Sequence, residues 1–215
     1  MKAFIILLLV FSILGGIGFG IYYSANAPKD VYDIAAESKP TKVTTEVNYV
    51  TADGDTLNGF YVTTVDGNDT QFEYEYQRLY TPAESVAEGT NDRIKNVSGV
   101  IYYRDGVYSG DQGEWKPGVG TALELKLNIS EKLLKDIELN EDGTVLTAKL
   151  TPENAIQVIG TDIRAVEDID LTVETNGVNL TMVTIHCYTQ YGEMTVRTSF
   201  TYGEQNLFAD DEAAK

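Results

Sequence analysis

The sequence predicts an α+β fold in which a curved antiparallel sheet packs on two or three short helices, behind an N-terminal transmembrane helix. Two patterns indicate the sheet: long segments alternate apolar and polar residues, and turn residues separate them at short intervals. A third pattern, an uncharged run at residues 3–23, indicates the transmembrane helix. We expect residues 1–27 to form that segment, 28–41 a short helix or linker, 42–202 the β-rich domain and 203–215 a flexible acidic tail.

The uncharged run is long enough to cross a bilayer, since about 20 apolar residues are needed. Lys2 precedes the run and acidic residues follow it closely, which places the short N-terminus in the cytoplasm and the domain outside. The A-x-A pattern at residues 25–27 is typical of a signal-peptidase site, but Pro28 comes next and is unfavourable after a scissile bond. The sequence therefore favours a retained anchor in a cell membrane. Cleavage, which gives a secreted protein, is the alternative.

The exported part of the chain is strongly acidic. Its formal charge is −18, because residues 1–27 hold one of the 16 basic residues and none of the 33 acidic ones. Such a charge repels phosphate backbones and anionic membrane surfaces, so we expect no nucleic-acid partner. The chain is 43% hydrophobic and can still bury a core. Cys187 is the only cysteine, so an internal disulfide is excluded and stability must come from packing.

The first half of the domain alternates strands and turns. Residues 27–38 have the apolar spacing of a short helix, which Pro40 ends. From Val43 the period changes to two, and turn residues separate the expected strands, which lie at residues 43–49, 57–65 and 72–76. Residues 81–95 are polar and predict a loop. A tight Arg-Asp-Gly turn at residues 104–106 then joins two strands, which lie at residues 97–103 and 107–109.

The second half brings further helices. Ser130 can cap a helix that runs to about Leu139. A strand at residues 145–150 leads to Thr151 and Pro152, which suit the start of another helix that should stop at Gly160. The last meander has three strands with turns between them, at residues 169–174, 178–188 and 193–202.

Few residues suggest chemistry. His186 and Cys187 are neighbours in a predicted strand, so their side chains point to opposite faces and cannot readily form a catalytic or metal-binding pair. Asp53, Asp55 and Asp66 offer oxygen ligands for calcium, although turn chemistry explains them better. No zinc spacing, nucleophile elbow or phosphate-binding glycine loop occurs. We therefore predict no enzyme, metal site or cofactor, while a hydrolase built on two carboxylates stays open.

Aromatic residues recur with strand spacing from Phe72 to Trp115, and they can line an apolar cavity with hydroxyl groups at its mouth. An ordinary β core is the alternative. The stretch Val100-Ile-Tyr-Tyr-Arg-Asp-Gly-Val-Tyr108 followed by Trp115, together with the order of elements, resembles the LolA-like half-barrel of bacterial envelope proteins over residues 28–202. The resemblance implies a sheet wrapped over helices around a cavity for acyl chains.

We therefore predict a membrane-anchored, extracytoplasmic, non-enzymatic module that binds an apolar or amphipathic, lipid-like ligand. The expected binding residues are aromatic and aliphatic: Phe72, Tyr74, Tyr76, Tyr103, Trp115, Leu133, Leu134 and Ile156. The prediction requires an apolar cavity beneath the leucines and Ile156. The alternative is a structural or assembly protein that docks a partner in an envelope complex through a sheet edge or its acidic face.

Overall fold

The structure is a computed structural model that describes residues 30–67, 69–104, 107–109, 115–117, 129–159 and 163–203. For residues 104, 107–109, 115–117 and 159 it describes the backbone alone. The predicted anchor, the helix stop at Gly160 and all but the start of the acidic tail lie outside these residues. Within the described ranges, no helix is long and apolar enough to span a membrane.

A single antiparallel sheet dominates the described part of the chain. Its eleven strands lie in the order β6-β5-β4-β3-β2-β1-β11-β10-β9-β8-β7. The strands are β1 (Lys42–Thr51), β2 (Thr56–Asp66), β3 (Asp69–Leu79), β4 (Ile94–Arg104), β5 (Val107–Ser109), β6 (Trp115–Pro117), β7 (Leu134–Leu139), β8 (Val145–Leu150), β9 (Ile169–Thr175), β10 (Leu180–Thr189) and β11 (Gly192–Thr201). An open sheet of this width must twist and coil. The α+β class predicted from the sequence is confirmed at this level.

Three short α-helices lie in the described part of the chain: α1 (Val31–Glu37), α2 (Pro82–Glu88) and α3 (Pro152–Ile159). A single 3₁₀ turn, Glu131–Leu133, precedes β7. The main contacts of α1 are with β9, and those of α3 are with β8 and the 3₁₀ turn. These two helices therefore pack on the half of the sheet that contains β8 to β10.

The side chains of the sheet alternate between two faces. On β1, Val43 and Val47 are buried, whereas Glu46 and Asn48 are exposed. The strand registers extend both rows, since Val47 lies opposite Val196 of β11. We call the face of Val43 and Val47 the dry face and the face of Glu46 and Asn48 the polar face. This alternation is the period of two that the sequence shows.

Helix α1 is fixed at both ends. The Asp30 side chain accepts a hydrogen bond from the Asp33 amide at 2.9 Å and caps the first turn. At the other end, the Ser38 hydroxyl donates to the Ile34 carbonyl oxygen at 2.7 Å and accepts from the Leu180 amide at 2.8 Å. Ser38 therefore ties the helix to the start of β10, which brings the buried residues of α1 against the core.

The helix predicted from Ser130 to about Leu139 is wrong. Helical geometry ends at Leu133, and residues 134–139 form β7, where Leu134 pairs with Leu150 and Leu139 with Leu146 of β8. The ladder has a bulge near Asp136, whose φ is +48°. Pairing with β8 satisfies the backbone of this segment, and this tertiary contact outweighs its helical spacing.

The loop predicted at residues 81–95 is also wrong in part. Pro82–Glu88 is helical, and β4 already begins at Ile94. Thr81 and Glu84 form a capping box, in which each side chain bonds the backbone amide of the other residue. Pro82 occupies the first turn, where its missing N–H is harmless. The helix buries no residue, so it has no apolar stripe by which the sequence could reveal it.

Candidate functional site

A cluster of four aromatic rings lies on the dry face of β2 and β3; we call it the aromatic ladder. Phe72, Tyr74 and Tyr76 occur at every second position of β3, and their ring centroids are 5.8 Å and 6.1 Å apart. Tyr61 of β2 stacks against both Phe72, at 6.4 Å, and Tyr76, at 6.3 Å. These offset contacts are of the stabilising kind for aromatic pairs. The strand period thus creates a continuous aromatic surface across two strands.

Gly59 makes room for the ladder. It lies opposite Tyr76 and precedes Tyr61 by two residues on the same face. A Cβ atom at Gly59 would lie 2.6 Å from Cε2 of the Tyr61 ring, closer than real Cβ contacts. The ring therefore covers the Gly59 backbone, and the glycine is needed for close approach rather than for its torsion angles.

Three hydroxyl groups on the dry face are buried without a hydrogen-bond partner among the described residues. They belong to Tyr61, Thr63 and Thr70, which are at most 1% exposed. Thr63 lies opposite Phe72, and Thr70 precedes Phe72 by two residues on the same face. Burial raises the pKa of the Tyr61 hydroxyl above its usual value, so the group stays protonated and can donate.

A comparison within the same sheet shows that these groups are unusual. Thr45 and Thr198 are also buried on the dry face, but their hydroxyls bond each other at 3.2 Å. A buried hydroxyl without a partner costs about 1–3 kcal/mol. A gap of about 10 Å³ lies beside Tyr61, near the lower limit for one water molecule, but neither Thr63 nor Thr70 lines it. The three hydroxyls are therefore unpaired polar groups within the otherwise apolar dry face, and we call them the polar spot.

The structure separates the predicted binding residues into two groups. Phe72 and Tyr76 are buried in the ladder, and Tyr74 and Tyr103 are half-buried on the same face. Leu133 and Leu134 lie at the 3₁₀ turn and β7, and β7 is the seventh strand beyond β3 in the sheet order. The remaining two predicted residues are Ile156, which is 51% exposed on α3, and Trp115, of which the backbone in β6 is described.

The cavities do not reproduce the predicted one. None of the three that we describe is lined by Leu133, Leu134 or Ile156. One is the small gap beside Tyr61, and another, of about 400 Å³, lies beside α2. The third is an open groove of about 650 Å³ on the polar face. The aromatic ladder is therefore the part of the predicted site that forms a coherent surface.

Sequence reasoning missed Tyr61, Thr63 and Thr70 as site residues. The first two belong to the predicted strand at 57–65, and the alternation that buries Leu57 places both on the dry face. The alternation of residues 57–65 could therefore have identified Tyr61 and Thr63 from the sequence. Whether a buried threonine finds a partner depends instead on which strand lies beside it, and the sequence pattern does not contain that information.

His186 and Cys187 lie on opposite faces, as the strand period predicts. Cys187 is buried, and burial raises the pKa of its thiol to about 11, which makes it a poor nucleophile. His186 lies on the polar face, where its Nε2 is 2.8 Å from Glu193 Oε1 and its Nδ1 is 3.6 Å from Asp170 Oδ2. The contact with Glu193, then that with Asp170, raises the pKa of His186.

The acidic segment at residues 51–55 forms a turn that is closed by a hydrogen bond between its two ends. The Asp55 amide donates to Thr51 Oγ1 at 3.0 Å, and the Asp55 carboxylate lies 2.7 Å from Arg93 Nη2. Across the described ranges, no three histidine, cysteine or acidic side chains are grouped so that they could hold a metal ion. This arrangement agrees with the interpretation of Asp53 and Asp55 as turn residues.

Comparisons with known proteins establish no family. No family model matches the chain, and no curated protein matches it. One solved structure with some likeness is the S-type phycobiliprotein lyase CPES from Guillardia theta, at 8% sequence identity and a TM-score of 0.29, with 78% of this chain and 90% of that chain covered. A likeness at this TM-score does not establish a common fold, so the LolA-like resemblance stays a prediction.

Proposed function

We propose that this protein is a membrane-tethered, extracytoplasmic binding module for an amphipathic, lipid-like ligand, and that it is not an enzyme. The ligand would bind on the dry face at the aromatic ladder. One observation carries the proposal: the buried hydroxyls of Tyr61, Thr63 and Thr70 lie on the otherwise apolar dry face and have no hydrogen-bond partner among the described residues. They provide the polar contacts that the headgroup of such a ligand needs.

The energetics favour a ligand with both an apolar and a polar part. Each 100 Å² of apolar ligand surface buried against the ladder contributes about 2.5 kcal/mol. A ligand group that bonds Tyr61, Thr63 or Thr70 also removes part of the cost of about 1–3 kcal/mol that each unpaired hydroxyl carries. A purely apolar ligand gains the first contribution and loses the second.

Two observations support a non-catalytic role. The Cys187 thiol is buried with a raised pKa, which opposes nucleophilic attack. The Arg78 guanidinium holds the pKa of Glu84 well below its usual range, and Lys95 lowers the pKa of Glu88. A general acid requires the opposite shift. None of these three groups is therefore suited to act as a nucleophile or as a general acid.

The tether follows from the N-terminal sequence. The uncharged run at 3–23 and Pro28 favour a retained anchor, and the formal charge of −18 beyond it would keep the domain off an anionic surface. An anchored domain of this kind would receive or sense a ligand at a fixed place rather than carry it freely.

The alternative, docking of a partner through a sheet edge, receives less support. β7 is the last strand of the described sheet, and an edge strand can pair with a partner. However, β7 has six residues, a bulge near Asp136 and the charged Lys135 and Glu138. Short, bulged and charged edges are those that resist pairing.

The proposal can be tested by titrating the delipidated full chain with dansyl-labelled undecanoic acid, whose emission rises in apolar surroundings. We expect saturable binding that is about tenfold weaker when Thr63→Val and Thr70→Val are combined, since two polar contacts are lost at constant volume. The matched control combines Thr45→Val with Thr198→Val, which removes a paired set of hydroxyls from the same face and should leave binding unchanged. Equal loss in both double variants, or no saturable binding, would contradict the proposal.

A further inference from the structure

Four amide side chains form a row across the polar face. They lie opposite one another on the four neighbouring strands β1 to β4 and belong to Asn48, Asn58, Gln77 and Asn96. The Asn48 amide donates to Asn58 Oδ1 at 2.9 Å, and the Asn58 backbone amide donates to Gln77 Oε1 at 3.1 Å. Thr195 of β11 lies opposite Asn48 and extends the row to a fifth strand. The amides are thus held in one line perpendicular to the strands.

Hydrogen-bonding capacity remains along this row. Among the described residues, the Asn96 side chain has no hydrogen-bond partner, and the Nε2 group of Gln77 and the Oδ1 atom of Asn48 also have none. The Asn96 side chain therefore offers both a donor and an acceptor, Gln77 offers a donor and Asn48 offers an acceptor. Neighbouring strands are about 4.8 Å apart, so the row of five residues extends over about 19 Å.

A second row runs beside the first and contains an exposed aromatic ring. Phe60 is 45% exposed and lies between Glu46 of β1 and Glu75 of β3. Arg197 of β11 lies opposite Glu46. The two rows line the open groove of about 650 Å³, whose side chains come from Glu46, Asn48, Asn58, Phe60, Glu75, Gln77, Asn96, Thr195 and Arg197. We call it the polar groove.

The composition of the polar groove narrows the class of ligand. Two carboxylates against one guanidinium disfavour phosphates and other anions. Four amides and a threonine disfavour an acyl chain, because an apolar ligand would leave their polar atoms unpaired. The groove therefore suits a ligand with many neutral groups that both donate and accept hydrogen bonds. The ligand should also have an apolar patch that can lie on a phenyl ring.

We infer that the polar groove binds a neutral oligosaccharide or a segment of a neutral polysaccharide. The amide row would bond successive hydroxyl groups, and the Phe60 ring would lie against the C–H face of one sugar ring. Glu46 and Glu75 flank Phe60 and would accept hydrogen bonds from hydroxyls of the same sugar. The saccharide chain would run across the strands, along the line of amides. This site is on the face opposite the aromatic ladder, so it is independent of the proposed lipid-like ligand.

The test is affinity electrophoresis of the full chain in native gels that contain hydroxyethylcellulose, soluble xylan, mannan or dextran, with an empty gel as reference. We expect slower migration in at least one of these gels. Phe60→Ala should weaken the interaction about tenfold, since it removes the stacking contact. Tyr188→Ala is the matched control, because Tyr188 is 43% exposed on the polar face outside the groove and should migrate like the wild type.

Two results would overturn the inference. One is migration that is the same in all four polysaccharide gels as in the empty gel. The other is binding that Phe60→Ala and Asn58→Ala leave intact. A basic peptide is the competing ligand, since Glu46 and Glu75 beside an aromatic ring also suit a cationic chain. A parallel titration with oligolysine tests for it. Binding of oligolysine without any polysaccharide would assign the polar groove to a basic peptide and contradict the sugar ligand.

Discussion

The hydroxyl groups of Tyr61 and Tyr202 differ in their hydrogen bonding. The Tyr202 hydroxyl donates to the Leu180 carbonyl oxygen at 2.7 Å, whereas that of Tyr61 is buried without a described partner. In the delipidated chain, Tyr202→Phe should lower the free energy of unfolding by about 1 kcal/mol, because it removes a bond that the protein makes. Tyr61→Phe should leave it unchanged or raise it by up to about 1 kcal/mol. Urea unfolding, compared at constant m-value, measures both.

The pair of variants separates a ligand contact from a structural one. When the ligand is bound, Tyr61→Phe should become destabilising, since the hydroxyl then has a partner. If Tyr61→Phe weakens the delipidated chain as much as Tyr202→Phe does, the protein itself satisfies the Tyr61 hydroxyl and the polar spot has no role in binding.

His186 should make stability depend on pH. Its contacts with Glu193 and Asp170 favour the charged form and raise its pKa in the folded state above the ordinary 6.5. A raised folded pKa gives stability that is fully present below the unfolded pKa and is lost as the pH rises through the folded pKa. His186→Gln should therefore cost more at pH 5.5 than at pH 8.5. Urea unfolding at both values tests this, and Glu193→Gln should reduce the difference, whereas equal costs at both values would exclude the coupling.

Among the helices, α2 and α3 share a threonine cap but differ in packing. The Thr81 hydroxyl caps α2, which buries no residue, and Thr151 accepts from the Asn154 amide to cap α3, which buries Ala155 and Val158. Either Thr→Ala change removes about 1 kcal/mol of helix stability. Thr151→Ala should lower the unfolding midpoint of the whole domain, whereas Thr81→Ala should mainly accelerate amide hydrogen exchange in α2. A large midpoint shift for Thr81→Ala would show that α2 is coupled to the core.

The elements that the sequence predicts well are those with local causes. The turns between β2 and β3 and between β9 and β10 contain Asp66-Gly67 and Asn176-Gly177, and both hairpins form as expected. Segment 134–139 fails this rule, because its leucine spacing suits a helix while pairing with β8 makes it a strand. Helix α2 was missed for the opposite reason, since a capping box without an apolar stripe gives a weak signal.

For the whole molecule, strand order decides which predicted residues meet. The ladder could be predicted because Phe72, Tyr74 and Tyr76 are two residues apart on one strand. Its combination with Tyr61, and the row of amides from four strands on the other face, depend on registers that arise only when the strands pair. Leu133 and Leu134, which were predicted for the same site, lie at or just before β7, seven strands from β3 in the sheet order, and nothing in their local sequence indicates this separation.

The sheet therefore has two faces with different chemistry: one apolar with a polar spot, the other polar with an exposed ring. We propose that the first binds a lipid-like molecule, and that residues 3–23 form a retained anchor that keeps the domain near the membrane from which the ligand comes. If both proposals hold, the protein must already carry the ligand when it is taken from its native membrane, and not only when the ligand is added at high concentration in a titration.

The most direct test is native mass spectrometry of the full chain, purified from its own host in a mild detergent and released from the detergent in the gas phase. We predict the mass of one chain with one amphipathic molecule bound, and a smaller liganded fraction when Thr63→Val and Thr70→Val are combined. Wild-type spectra that contain only the mass of the bare chain would contradict the account.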